Sequence, residues 1–324
     1  MVMNDCTLCP RKCHADRTVS AGYCGCPGEL RAARAGLHYF EEPFISGLKG
    51  SGTVFFSGCS LGCVYCQNNT ISCRDSFGLN ITPKRLATIF LELQSKGAHN
   101  INLVTGTPYI PFIKEALETV RRDGSLKIPV LWNSGGYERT EALEMLDGMV
   151  DIWLPDLKTL SEELSLRYMN VPDYPEAAMS AVRWMAKKAG PAKFVPYGKD
   201  ASLPAAEGNT YTKEDVEECG IMVSGVCVRH LVIPGQTEDS CRVLEWLADT
   251  FGNDIWISLM SQYTPMRTDF PQEELNRKLT SEEYDRVVDR AVDLGLENVM
   301  IQMDDVADDS FIPVFDGTGI VIAE

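Results

Sequence analysis

Three cysteines, Cys59, Cys63 and Cys66, fall within eight residues in the stretch GCSLGCVYCQ, residues 58–67. Closed zinc sites take four protein ligands, so a set of three leaves one position open, as catalytic metal centres do. Thiolates are soft ligands and a cubane iron–sulfur cluster offers four irons, so three cysteines with one open iron fit such a loop. Two plainer readings compete: three buried cysteines, or zinc completed by a remote residue. The C-x3-C-x2-C spacing, with the aromatic Tyr65 before the last cysteine, favours the open [4Fe-4S] cluster.

A second group, Cys6, Cys9, Cys13 and Cys24, reads C-x2-C-x3-C-x10-C, with His14 and Cys26 beside it. Four thiolates suit a structural zinc, which contributes folding energy to a segment too small for its own core. They also suit an auxiliary iron–sulfur cluster that relays electrons. Zinc is the expected metal, and Cys26 is an alternative to Cys24 as its fourth ligand. Cys73, Cys219, Cys227 and Cys241 read as isolated thiols, since free cysteine often behaves as a small hydrophobe.

The elements that must hold these residues follow an alternating pattern. From residue 53 onward, short β-branched or aromatic runs alternate with amphipathic stretches, the βαβ rhythm. The runs are TVFF (53–56), INLVT (101–105), PVLWN (129–133), DIWLP (151–155), RHLVI (229–233), IWISLM (255–260) and NVMIQ (298–302). Between the first two, Thr82 reads as an N-cap, Pro83 as the first helical residue and Gly97 as the stop. A capping box, Thr280 to Glu283, opens the last helix.

This predicts an α/β fold: a complete or partial parallel (β/α) barrel of six to seven units with an N-terminal Cys-rich metal-binding extension. Residues 1–50 form the extension, with one short helix over GELRAARAG; residues 51–324 form the barrel, with an inserted polar loop at 191–220. A loop of that length suits a substrate lid or solvated ornament.

In parallel barrels the reactive groups collect at the carboxyl ends of the strands. The three-cysteine loop follows the first strand directly. Asp156 and Lys158 follow the fourth. Thr105 and Thr107 lie at the end of the second, Asn133 and Ser134 at the end of the third. Arg229 and His230 open the fifth; the arginine suits a carboxylate, and the histidine suits proton transfer or a structural role. Gln262 and Gln302 close the last two.

The cysteine pattern resembles the radical S-adenosylmethionine (radical SAM) superfamily. The stretches EEPFISGLKGSGTVFFSGC, CVYCQNNTIS, HNINLVTGTPYIPFI, VLWNSGGYE, DIWLPDLK, VRHLVIPG and SLMSQYTP together look like the pyruvate formate-lyase activating enzyme-like proteins, in a branch of largely unassigned substrate. The resemblance spans residues 38–303. It implies that the open iron chelates S-adenosylmethionine, and that one electron cleaves it to methionine and a 5'-deoxyadenosyl radical that abstracts hydrogen from a substrate. Asp156 and Lys158 then match the Asp-x-Lys motif that holds the cofactor. TGTP, residues 105–108, stands where many relatives carry Gly-Gly-Glu-Pro, with Thr107 in place of the glutamate.

The resemblance also implies an electron donor such as flavodoxin or ferredoxin, and a glycyl-radical enzyme as protein substrate, which makes the chain an activase-like oxidoreductase. The alternatives are a radical SAM enzyme acting on a small molecule or another peptide residue, and a non-catalytic iron–sulfur redox or scaffold protein. A formal net charge of -16 repels phosphate backbones and anionic lipid, so neither nucleic acid nor membrane is an expected partner. No apolar stretch resembles a membrane span or a signal peptide, and twelve cysteines without a disulfide framework fit the cytoplasm.

Overall fold

A computed structural model describes residues 3–74, 76–197, 220–267, 269–302 and 312–321. Seven strands run parallel in the order β10-β9-β8-β6-β5-β4-β2. They are β2 (Ser51–Phe56), β4 (Ile101–Val104), β5 (Val130–Ser134), β6 (Ile152–Pro155), β8 (Ile221–Leu231), β9 (Trp256–Met260) and β10 (Val299–Ile301). Each expected run overlaps one of them, but β8 begins at Ile221, eight residues before the run 229–233, and ends at Leu231, so Arg229 and His230 lie near its carboxyl end and do not open it. Among the described residues the sheet ends in β10 on one side and continues past β2 into β1 (Leu30–His38) and β3 (Leu79–Ile81) on the other, so it is an open, partial barrel. β7 (Lys193–Val195) pairs antiparallel with β8.

The helix expected over GELRAARAG is instead strand β1, antiparallel to both β2 and β3. Alanine and arginine favour helix locally, but pairing on two sides and burial of Leu30, Ala32, Ala33 and Ala35 override that preference. A bulge between Ala32 and Arg34 lets both neighbouring alanines, Ala32 and Ala33, be buried. Residues 30–38 therefore belong to the barrel sheet.

Helices Pro83–Ser95, Ile110–Arg122, Tyr174–Ala189, Thr237–Phe251 and Ser281–Asp293 cover the outer face. Thr82 accepts from the Arg85 N–H, and the Thr280–Glu283 capping box is formed. Inside the curved sheet, the short helix Pro43–Ser46 packs Phe44 and Ile45 against Leu131, Ile152, Leu154, Met222 and Cys227. This apolar plug closes one end of the interior and leaves polar groups at the carboxyl ends. Most of the inserted loop, residues 198–219, lies outside the described residues, as does Cys219.

Candidate active site

β2 ends at Phe56, and the loop that follows brings Cys59, Cys63, Tyr65 and Cys66 to the wall of a cavity of about 250 Å³. The Leu61 N–H donates to Cys59 Sγ at 3.4 Å and the Ser72 hydroxyl to Cys66 Sγ at 3.3 Å. Such bonds favour thiolate sulfur. Burial pushes the Cys59 thiol up to about 11 and Cys63 further still. Bare thiols would stay neutral here; a bound iron centre would convert them to ligands.

Across the cavity, Asp156 follows β6 and faces two cations. Lys158 Nζ lies 2.7 Å from Oδ2 and Arg229 Nε 2.9 Å from Oδ1. Burial raises the Asp156 carboxyl, but Arg229 and Lys158 outweigh it and hold the group below the usual carboxylate range. Arg229 extends the network: its Nη1 meets Glu41 at 3.0 Å and its Nη2 donates to Asn133 Oδ1 at 2.6 Å. Glu41 also accepts from Asn102 at 2.9 Å and Asn133 at 3.1 Å. Every charge in the cavity floor is thus paired, which buried charge requires.

Gly135 and Gly136 let the end of β5 approach this floor. A Cβ on Gly136, at φ 73°, would fall 2.4 Å from Asp156 O, and one on Gly135 would fall 2.5 Å from Leu61 of the cysteine loop. Thr105 lines the cavity with φ 61°, a strained conformation for a β-branched residue, and its N–H donates to Asn133 O.

Residues 53–198 match the radical SAM superfamily. That match takes in the three-cysteine loop and the Asp156–Lys158 pair. An uncharacterized protein of Methanocaldococcus jannaschii is 26% identical over 307 residues, covering 91% of this chain and 77% of its own. Among solved structures, Streptococcus suis SuiB bound to the precursor peptide SuiA superposes with a TM-score of 0.48 at 12% identity, over 76% of this chain. The chain spans 46% of SuiB's length. A domain of pyruvate-formate lyase-activating enzyme from Bacteroides vulgatus gives a TM-score of 0.38 at 15% identity, over 60% of this chain and 92% of that domain.

The cavity gathers most of the residues expected from sequence: Cys59, Cys63, Tyr65, Cys66, Thr105, Asn133, Ser134, Asp156, Lys158, Arg229 and Gln262. Three lie apart from it. His230 is 1% exposed and points to the outer layer, where Nδ1 pairs with Leu157 O at 2.7 Å and Nε2 with Ser240 Oγ at 2.9 Å. Successive residues of a strand face opposite sides, so with Arg229 and Leu231 turned inward His230 must turn outward. Its geometry is that of a satisfied structural imidazole. Gln302 does not reach the cavity; its N–H donates to Leu259 O and to the Tyr284 hydroxyl. Thr107 is buried behind the wall and donates to Glu138 at 2.6 Å.

Glu138, Glu41 and His38 were not singled out by sequence. Glu138 accepts from Thr107 and, at 3.1 Å, from Ser134; burial nonetheless raises its carboxyl to about 7. Glu138 thus sits with Thr107 behind the wall, and neither lines the cavity. His38 lines the cavity and is pushed down to about 4 by burial and by Arg34 and Arg229. Glu41 sits in EEPF, where two acids before a helix-starting proline look like a solvated helix N-terminus.

The sulfur set, its hydrogen bonds and the paired charges fit a [4Fe-4S] cluster at Cys59, Cys63 and Cys66 with S-adenosylmethionine beside it. Among the described residues, no three His, Cys, Asp or Glu side chains are grouped to hold a single metal ion; a cubane instead places its ligating sulfurs on separate irons. Cys6, Cys9, Cys13 and Cys24 line one small cavity of about 20 Å³, and Cys26 does not. The Cys26 thiol instead donates to Ser57 O at 3.4 Å. Among the described residues, no helix is long and apolar enough to cross a membrane.

Proposed function

We propose that this radical SAM protein is an enzyme that holds a [4Fe-4S] cluster through Cys59, Cys63 and Cys66 and opens S-adenosylmethionine chemistry onto a hydrogen of its substrate. The observation that carries this is the convergence of the three thiols with the Asp156–Lys158–Arg229 charge set in one cavity at the carboxyl ends of the strands. When bound, cluster and cofactor supply one-electron cleavage to methionine and a 5'-deoxyadenosyl radical that takes the hydrogen. Asp156 and Lys158 orient the methionine end, the carboxylate toward its ammonium and the ammonium toward its carboxylate. Arg229 and Asn133 hold Asp156 and Glu41 in place, and the apolar Val104, Leu231 and Met260 exclude water from the reacting end.

The substrate in this reading is a backbone glycine of a partner enzyme, presented at the open side of the barrel, with a flavodoxin or ferredoxin as electron donor. Support comes from the motif resemblance to glycyl-radical activases and from the sheet, which among the described residues ends in β10 and β3 without closing. Cys6, Cys9, Cys13 and Cys24 share one small cavity but stand too far apart to ligate a single ion, so a structural zinc there requires the four thiols to draw together on binding; metal and sulfide analysis separates zinc from an auxiliary cluster.

The test is anaerobic reconstitution followed by dithionite and S-adenosylmethionine, with 5'-deoxyadenosine as the expected product. No product from an intact, reducible cluster would exclude the catalytic reading. Hydrogen exchange with and without a candidate glycyl-radical enzyme tests the partner: a protein substrate protects the rim of the barrel beyond the cofactor cavity.

A further inference from the structure

Arg11 ties the N-terminal segment to the three-cysteine loop. Its Nε donates to Ser60 O at 2.6 Å and Nη2 to Leu61 O at 3.3 Å, two carbonyls that lie between Cys59 and Cys63. The same guanidinium reaches Met169 O at 3.2 Å and Asn170 O at 3.3 Å, at the end of helix Glu162–Met169. Tyr23 covers its face, with the ring centroid 3.6 Å from Cζ. Four carbonyls on two separate elements are therefore held by one planar fork, a geometry that a lysine ammonium does not reproduce.

The local chain explains the placement. A turn from Cys9 to Lys12, closed by the Lys12 N–H on Cys9 O at 3.1 Å, presents Arg11 between two of the four thiols of the N-terminal cavity. The segment meets the loop again at Gly58, where a Cβ would fall 2.3 Å from Cys26 Sγ. The loop itself docks on the same helix through the Val64 N–H to Tyr168 O, 2.9 Å.

Two consequences follow. Bonding both carbonyls fixes the backbone that separates the first two ligating sulfurs. A fixed cation beside an iron–sulfur centre also favours the state carrying the extra electron, because charge and hydrogen bonding near the sulfurs set cluster potentials. We propose that Arg11 is a positioning residue for the three-cysteine loop, holding its backbone and raising the reduction potential of the cluster bound there. The second half rests on the cluster assignment above.

The test compares Arg11→Gln and Arg11→Lys in the full chain. In metal-free protein, exchange of the Leu61, Val64 and Cys66 amides should rise about tenfold in both variants, the effect of losing about 1.4 kcal/mol of local protection. Helix Pro83–Ser95 should keep wild-type exchange and so report an intact fold. In the reconstituted protein at a fixed poise, the ratio of reduced to oxidised cluster should fall about tenfold in Arg11→Gln, a shift of about 59 mV for one electron, and stay near wild type in Arg11→Lys. Unchanged exchange or an unchanged potential in Arg11→Gln overturns the proposal. Should Arg11→Gln fail to fold, Arg11→Lys decides: slow loop exchange in that variant also overturns it. If wild-type protein takes up no four-iron cluster, the cluster assignment fails, and the metal-free exchange still decides whether Arg11 holds the loop.

Discussion

Arg229 Nε donates to Asp156 Oδ1 at 2.9 Å, joining the ends of β6 and β8 across the floor of the cavity. Because Lys158 occupies the other carboxylate oxygen, Asp156 is the only anion between two cations on that side of the floor among the described residues. Asp156→Asn should leave both cations short of charge, lowering stability by about 3–5 kcal/mol as removal of one partner from a buried pair does. Formation of 5'-deoxyadenosine should fall by about 10² or more through misplacement of the cofactor. Urea denaturation and product quantification check the two effects separately.

Glu138 gives a pH signature. Its folded carboxyl titrates near 7, above the ordinary value near 4.5, so the folded state binds its proton more tightly than the unfolded state. The stabilisation from this group is complete below about 4.5 and is lost as pH rises toward about 7. Glu138→Gln should remove that slope and, at pH 8, make the protein more stable by about 1–3 kcal/mol. Thermal denaturation from pH 5 to 8 checks it; an unchanged slope in the variant rejects the assignment.

His230 should behave as a structural residue. His230→Asn leaves the Leu157 carbonyl and Ser240 hydroxyl with poorer partners, which costs about 1–3 kcal/mol. Cofactor cleavage per folded molecule should remain within about twofold of wild type, since surviving activity follows the fold and not the imidazole. A large loss of turnover in fully folded variant would return His230 to the chemistry.

The two cysteine groups should separate in metal content. Cys63→Ala should abolish cluster assembly, seen as loss of iron, sulfide and the cluster's visible absorption. Cys9→Ala should chiefly lower yield and stability through loss of the N-terminal metal. Loss of a second iron–sulfur signal without unfolding in Cys9→Ala would replace zinc by an auxiliary cluster.

What could be read from sequence was whatever one strand and its following loop encode. The seven parallel runs and the residues Cys59, Asn133 and Asp156 sit just at or past strand ends, where chain order alone places them; Arg229, read as opening its strand, lies near the carboxyl end because β8 begins at Ile221. Contacts between distant segments were not legible. Glu41 joins Asn102, Asn133 and Arg229 only after three strands have assembled, and Glu138 meets Thr107 across two loops. β1 was read as helix because its alanines and arginines favour helix until β2 and β3 flank it. His230 was placed in the site because both members of the Arg-His pair carry chemistry; the period of two, applied from Arg229, would have turned it outward.

That alternation along β8 has a consequence for how the chain can be altered. Arg229 pairs in register with Ser258 of β9 and His230 with Leu259. Shifting β8 by one position would drive a guanidinium among the aliphatic side chains beneath the helices, strip Glu41 of its counter-ion and leave Asp156 with Lys158 alone. Misaligned assembly is therefore penalised by the same charges that grip the ligand. Insertions or deletions within this strand should be lethal to folding itself.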